Sequence, residues 1–180
     1  MPVEDGIAAL KPDMTDWRRY LHAHAETAFQ ERETAAFVAA RLREFGIEVH
    51  EGLAGTGVVG TLRNGDGPAI GLRADLDGLP IAEETGLPYA SKHAGRMHAC
   101  GHDGHTAMLL GAARHLAQTR RFAGTVHFIF QPAEENEGGA RMMIEQGLFE
   151  RFPVRQVFGM HNWPAMPAGH FAVRAGPMMA

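Results

Sequence analysis

The chain has 180 residues, of which 45% are hydrophobic and 21% are charged. This length and composition are typical of a single globular domain with its own core, and they exclude an intrinsically disordered protein. The formal net charge of -4 argues against a nucleic-acid or membrane surface as a partner, and the single cysteine excludes an intrachain disulfide.

The first predicted elements of the chain are two helices. Residues 1–14 lack the basic segment and apolar run of a secretory signal, and no stretch has the apolar length of a membrane span, so we expect a cytoplasmic location. Hydrophobic spacing predicts helices over residues 13–24 and 31–45, the second ending at Gly46. Residues 22–26, His-Ala-His-Ala-Glu, are rich in metal donors, but their spacing does not separate a metal site from a solvated helix end.

Three strands are predicted next, over residues 47–50, 57–62 and 69–73. The second and third are separated only by the glycine-rich turn at residues 64–67. Two strands joined by such a turn usually pair with each other, so we predict an antiparallel hairpin.

The rest of the chain alternates helices with strands. The predicted elements are a helix from Gly104 to Arg121, a strand at 125–130, a helix at 139–146, and strands at 156–160 and 170–174. The strand at 125–130 is the most apolar, which indicates burial on both faces. This alternation indicates an α/β domain, which we expect to be a three-layer α/β/α arrangement around a mostly parallel central sheet.

Residues that can bind metal lie just past several of these strands. Asp75 and Asp77 follow the third strand, Glu134 and Glu135 follow the most apolar one, and His161 follows the strand at 156–160. The densest stretch of donors is residues 97–105, which contains Cys100 and His102 and precedes a helix. Each motif alone has an ordinary explanation as a turn, a helix cap or a solvated loop. Because functional groups collect at the carboxyl edge of a parallel sheet, the set together predicts a metal site there.

The chemistry of these residues suggests roles. Thiolate, imidazole and carboxylate suit zinc or a neighbouring first-row metal, so the candidate ligands are Cys100, His102, Glu135 and His161. Consecutive side chains point apart in extended backbone, so one of the paired glutamates can bind metal while Glu134 moves a proton. Four ligands would complete a structural zinc site. A hydrolytic centre with two metals needs further donors, from Asp77 or from sequence beyond residue 180.

The ordered motifs HACGHDGH, QPAEE and GMHNWP resemble the M20 metallopeptidases, specifically the aminoacylase and hippurate hydrolase branch of amidohydrolases that includes the plant auxin-conjugate hydrolases. The likeness extends from WRRYLHAHAE through LRADLDGLP to FAVRAGPMMA. It implies a zinc-peptidase-like catalytic domain that hydrolyses the amide of N-acyl amino acids. The implied site has two divalent metal ions (Zn, Mn, Co or Ni) on Cys100, His102, Glu135 and His161, with Glu134 as general base and Asp77 supporting the centre.

The resemblance also sets expectations for the whole protein. Ala25 replaces a proline usual in relatives, and residues 136–137 replace part of a glycine run. Relatives are about twice as long, so residues 1–180 are expected to be the N-terminal portion of the catalytic domain, without the lid and dimerisation domain or a C-terminal histidine ligand. The expected partner is a small N-acyl amino acid, and the full-length form is a candidate homodimer. Two alternatives stay open: a catalytically incomplete metal-binding fragment and a structural zinc domain.

Overall fold

The structure of the chain is a computed structural model that describes residues 4–176. Its elements in chain order are α1 (Asp5–Ala8), α2 (Lys11–Ala23), α3 (Arg32–Glu44), β1 (Glu48–Leu53), β2 (Gly57–Asn64), β3 (Ala69–Asp75), α4 (His102–Thr119), β4 (Gly124–Gln131), α5 (Gly139–Glu145), α6 (Leu148–Arg151) and β5 (Gln156–Gly159). Every predicted helix is present to within a few residues, and the short helices α1 and α6 are additional. None of the helices in the described part of the chain has both the length and the apolar character needed to cross a membrane.

The five strands form one mixed sheet in the order β1-β2-β4-β3-β5. Strand β2 is antiparallel to both of its neighbours, β1 and β4, whereas β3 is parallel to both β4 and β5. Four strands therefore run in one direction and β2 runs against them. The carboxyl ends of β3, β4 and β5 consequently lie at the same edge of the sheet.

Alternating side chains of the central strands build a core on each face of the sheet. On β4, Phe128 and Phe130 pack into the larger core formed with helices α2, α3 and α4. Ile129, between them, points to the opposite face and packs with Met143 and Leu148 of the short helices α5 and α6. Because helices cover both faces, the fold is the three-layer α/β/α arrangement that the sequence predicts.

The predicted hairpin of β2 and β3 is wrong, because β4 lies between these two strands. The turn residues bind the segment that enters β4. Asn64 donates a side-chain hydrogen bond to the carbonyl of Arg120, and the amide of Thr125 donates to the carbonyl of Pro68. The most apolar strand thereby gains a partner on each edge and cover on each face, which a β2–β3 hairpin would deny it.

The predicted strand at residues 170–174 is also wrong, since the structure has no strand there. Phe171 and Val173, the apolar residues behind that prediction, are 85% and 96% exposed. A strand needs a neighbour for its backbone hydrogen bonds. Within residues 4–176, β5 is the edge of the sheet and nothing pairs with this segment.

Candidate metal centre

The backbone around Gly101 brings two predicted ligands to the edge of the sheet. Gly101 has a φ of 85°, in the left-handed region, and immediately precedes α4. A Cβ at this position would lie 2.6 Å from Oδ1 of Asn162. Glycine suits this position because it adopts the left-handed conformation without strain and leaves room for the side chain of Asn162 in the loop after β5. This packing places Cys100 and His102 beside His161.

The structure brings all four predicted ligands together. The Sγ atom of Cys100 lies 3.5 Å from Nε2 of His161, so the two residues, 61 positions apart in sequence, are neighbours at the site. Nε2 of His102 lies 3.6 Å from Oε1 of Glu135. Donors bound to one metal at about 2.0–2.3 Å lie roughly 3–4 Å from one another, so these separations suit a shared ion. Their role as ligands remains a prediction.

Two buried atoms in this cluster have no hydrogen-bond partner. They are Nε2 of His102 and Oε1 of Glu135. An unpaired buried nitrogen beside an unpaired carboxylate oxygen is costly, and a cation bound by both would remove that cost. Burial, together with the nearby carboxylate of Glu135, raises the pKa of Cys100 to about 12, so its thiolate needs a nearby positive charge. The residues present therefore fit a soft or borderline divalent metal.

Asp77 contacts two of the predicted ligands, His102 and Glu135. Its Oδ1 lies 3.3 Å from Nδ1 of His102, and its Oδ2 accepts a hydrogen bond from the backbone amide of Glu135. Burial alone would raise the pKa of Asp77, but these hydrogen bonds outweigh burial and lower it. A carboxylate that binds the far nitrogen of a ligating imidazole fixes the ring so that its other nitrogen faces the metal. Asp77 is placed to fix His102 in this way.

Asp75 and His105 also lie close to His102 and His161, but their atoms already have partners. The backbone amide of Asn162 donates to Nε2 of His105, so the proton of that ring must be on Nδ1, which donates to Asp75 at 2.7 Å. Burial alone would raise the pKa of Asp75, but the hydrogen bond from His105 and nearby positive charge lower it to about 2. This pair holds the backbone after His161 in place.

The supporting role of His105 was not predicted from the sequence. Its position could have been identified from the spacing, because a residue three positions after His102 in a helix lies on the same face as His102. The partner Asp75 was recognised only as a carboxylate past the end of a strand. Its contacts identify it as a supporting residue, as they do for Asp77.

The donor-rich segment at residues 22–26 belongs to a different cluster. His22 is buried between two carboxylates, with Nδ1 2.8 Å from Asp103 and Nε2 3.1 Å from Glu83. Glu26 is also buried, and it accepts hydrogen bonds from the backbone amide and hydroxyl of Thr34 in the first turn of α3. Among residues 4–176 the segment belongs to neither group of donors that could hold a metal, and the burial of His22 and Glu26 excludes a solvated helix end. It joins α2, α3, α4 and the loop that contains Glu83.

This arrangement predicts a pH-dependent stability. The hydrogen bond with Asp103 raises the pKa of His22 against the opposing effect of burial, and Glu83 raises it further. A raised native pKa means that the stabilisation is complete below the unfolded value of about 6.5 and is lost as the pH rises through the native value. We expect the stability difference between wild type and His22→Gln to shrink between about pH 5.5 and about pH 9 in denaturant unfolding. His24→Gln serves as the control, and an undiminished difference for His22→Gln would contradict the prediction.

The fold and the donor cluster define an α/β protein with a candidate metal centre at the carboxyl edge of its sheet. The chain belongs to peptidase family M20/M25/M40, whose profile matches residues 71–176. This result confirms the family inferred from the motifs.

Individual relatives agree with this family. The chain is 50% identical to hippurate hydrolase of Campylobacter jejuni over 97% of its own length, and 48% identical to N-acetylcysteine deacetylase of Bacillus subtilis over 93%. It matches the crystal structure of the YXEP protein of Bacillus subtilis, described as a dinuclear metal binding peptidase from the M20 family, with a TM-score of 0.89 and 47% identity over 94% of the chain. The chain spans 45%, 44% and 48% of the lengths of these three proteins.

Proposed function

We propose that the protein containing this chain is a metal-dependent amidohydrolase that converts N-acyl amino acids into a carboxylic acid and a free amino acid. The observation that carries the proposal is the position of Glu134. Its Oε2 lies 3.8 Å from the unpaired Nε2 of His102, and its side chain is 34% exposed where that of His102 is fully buried. A carboxylate that contacts both solvent and the donor cluster can take a proton from water at the site. The hydrolase names of the relatives support the same reaction class.

The residues that would hold metal are Cys100, His102, Glu135 and His161. We propose two divalent ions, drawn from zinc, manganese, cobalt and nickel, all of which accept this set of donors. When bound, the metal supplies Lewis-acid polarisation of the amide carbonyl and stabilises the negative charge that develops on its oxygen. The dinuclear description of the YXEP protein supports the count of two.

The proton transfers belong to Glu134. As the water oxygen bonds to the carbonyl carbon, one Oε atom of Glu134 accepts the water proton. The carbon–nitrogen bond then breaks, and Glu134 returns that proton to the amine of the leaving amino acid. Asp77 keeps His102 oriented during these steps, and Asp75 with His105 keeps the segment of His161 in place. These contacts keep the surroundings of the base fixed during the proton transfers.

The proposal extends to the context of the chain. We propose that residues 1–180 form the N-terminal portion of the catalytic domain, because the chain spans less than half of each relative. The lid, a further histidine ligand and a dimer interface would then belong to the remaining sequence, and the enzyme would act in the cytoplasm. One observation favours the alternative that the chain by itself binds metal without catalysis: His161 is exposed, so one side of the site is open.

Cobalt binding tests the site without relying on turnover. We expect the chain to take up Co²⁺ and to develop a sulfur-to-cobalt charge-transfer band, because Cys100 is among the predicted ligands. Cys100→Ala should abolish the band, whereas His24→Ala, outside the cluster, should leave it unchanged. A band that persists in Cys100→Ala would contradict the ligand assignment.

Hydrolysis tests the function. The full-length protein should release glycine from N-benzoylglycine, lose this activity after chelation and regain it with Mn²⁺ or Zn²⁺. The same assay on the 180-residue chain separates the two candidates, since activity that returns with metal would exclude the non-catalytic alternative. A full-length protein without metal-dependent amidase activity would overturn the proposed function.

A further inference from the structure

The loop that presents Glu134 and Glu135 begins with a strained residue. Ala133, which directly precedes this pair, has a φ of 49°. For a residue with a Cβ, this left-handed conformation costs about 1–2 kcal/mol. Such a conformation persists only where the surrounding structure holds it. The structure must therefore hold the Ala133 backbone, and through it the direction in which both glutamates leave β4.

Glu31 supplies one of these contacts from the residue before α3. It is 0% exposed, and its Oε1 accepts a hydrogen bond of 2.9 Å from the backbone amide of Ala133. Its Oε2 accepts a hydrogen bond of 2.7 Å from the hydroxyl of Thr56. One buried carboxylate thus joins three segments that are far apart in sequence: the start of α3, the loop before β2 and the loop after β4.

The other side of the Ala133 residue is held as well. Its carbonyl accepts a hydrogen bond of 3.0 Å from the amide of Gly139. A Cβ on Gly139 would lie 1.9 Å from the carbonyl oxygen of Pro132, so only glycine allows this approach. Of the two hydrogen bonds that the Ala133 backbone forms among residues 4–176, the one to Glu31 depends on a side chain.

The free-energy cost of burying the Glu31 carboxyl group indicates that its contact with Ala133 is important. A buried carboxyl group without an ion-pair partner is expensive, and Glu31 forms no ion pair among residues 4–176. Burial accordingly raises the pKa of Glu31, although both hydrogen bonds oppose that effect. A side chain of the same shape without polar atoms would fill the core at lower cost, but it would leave the amide of Ala133 unpaired.

We propose that Glu31 is a positioning residue for the paired glutamates, holding the strained Ala133 backbone so that Glu134 faces the substrate and Glu135 faces the metal. The inference rests on the proposed function for its catalytic consequence. Its structural content, the restraint on the amide of Ala133, does not depend on that function. The two parts can therefore be tested separately.

Hydrogen exchange of the metal-free chain tests the restraint. The variants are Glu31→Leu, which removes both contacts, and Glu31→Gln, whose amide can accept from Ala133 and donate to Thr56. The control is Thr56→Val, which removes only the contact to Thr56. We expect the amide of Ala133 to exchange at least about tenfold faster in Glu31→Leu, while it stays protected in the other two variants. Unchanged exchange at Ala133 in Glu31→Leu would overturn the proposal.

Kinetics of the full-length protein test the catalytic consequence. They are measured at a temperature well below the unfolding midpoint of every variant. We expect Glu31→Leu to lower kcat about 10–100-fold with a much smaller change in KM, as for other residues that orient a metal site, and Glu31→Gln to restore most of it. Full kcat in Glu31→Leu, or a loss of kcat in Thr56→Val as large as in Glu31→Leu, would show a merely structural role. If the wild type itself is inactive, the proposed function fails, and exchange at Ala133 together with Co²⁺ affinity still decides the role of Glu31.

Discussion

Replacing Glu134 with glutamine is expected to lower kcat for an N-acyl amino acid by about 10²–10⁴-fold, the usual contribution of a general acid–base residue. Glutamine keeps the shape of the side chain but cannot accept a proton from water or return it to the amine. Because Glu134 is not among the predicted ligands, metal content and Co²⁺ affinity should stay close to those of the wild type. Steady-state kinetics measure the change in kcat, and metal analysis of the same preparations measures the metal content.

The matched control for this prediction is Glu137→Gln. Glu137 is an exposed carboxylate in the same loop, three residues further along the chain, so its replacement removes the same charge from nearly the same place. A general effect of charge on the loop would lower the activity of both variants alike. Turnover that survives in Glu134→Gln would show that another group handles the proton.

The second large effect is expected from Gly101→Ala. The Cβ of alanine would lie 2.6 Å from the side chain of Asn162. Alanine would also have to adopt the left-handed conformation of this position, with a φ of 85°. The left-handed conformation alone costs alanine about 1–2 kcal/mol. Alanine fits only if the side chain of Asn162 changes rotamer or the loop after β5 shifts, and a shift of that loop would carry His161 away from Cys100. We therefore expect both lower stability and weaker binding of Co²⁺.

Gly104→Ala provides the comparison. Gly104 lies in the first turn of α4, and a Cβ there would meet nothing within 4 Å. Alanine at a helical position is favoured over glycine by about 1 kcal/mol, so this variant should be as stable as the wild type or more stable. Thermal unfolding and Co²⁺ titration of the two variants measure the difference. Equal metal affinity in Gly101→Ala and Gly104→Ala would show that the close approach at Asn162 is not needed for the site.

The sequence was informative where local chemistry and periodicity decide the structure. Apolar spacing identified the main helices. The positions of Glu135 and His161 past strand ends, and of Cys100 in a loop that precedes a helix, predicted that the three residues meet at one edge of the sheet. The prediction succeeded because the direction of β3, β4 and β5 follows from their helical crossovers. The same reasoning explains why the class of fold could be inferred.

The other features of the fold and of the site depend on tertiary contacts that cannot be inferred from the sequence. The turn at residues 64–67 favours a hairpin locally, but the burial required by β4 separates the two strands. Phe171 and Val173 have the alternation of a strand, but no strand within residues 4–176 pairs with their segment. The role of Glu31 could not be inferred, since its partners, Ala133 and Thr56, are 102 and 25 residues away and one of them is a backbone amide.

The exposed edge of the sheet has a consequence for handling the chain. Strand β5 pairs on one side with β3, and within the described residues its other side is free, while Phe158 and Met160 are more than half exposed. Unpaired backbone groups beside apolar side chains attract further strands, from the same or from another polypeptide. We therefore expect the isolated chain to associate through this edge of β5 at high concentration. A lysine introduced at Val157 would discourage such contacts without touching the ion-binding cluster.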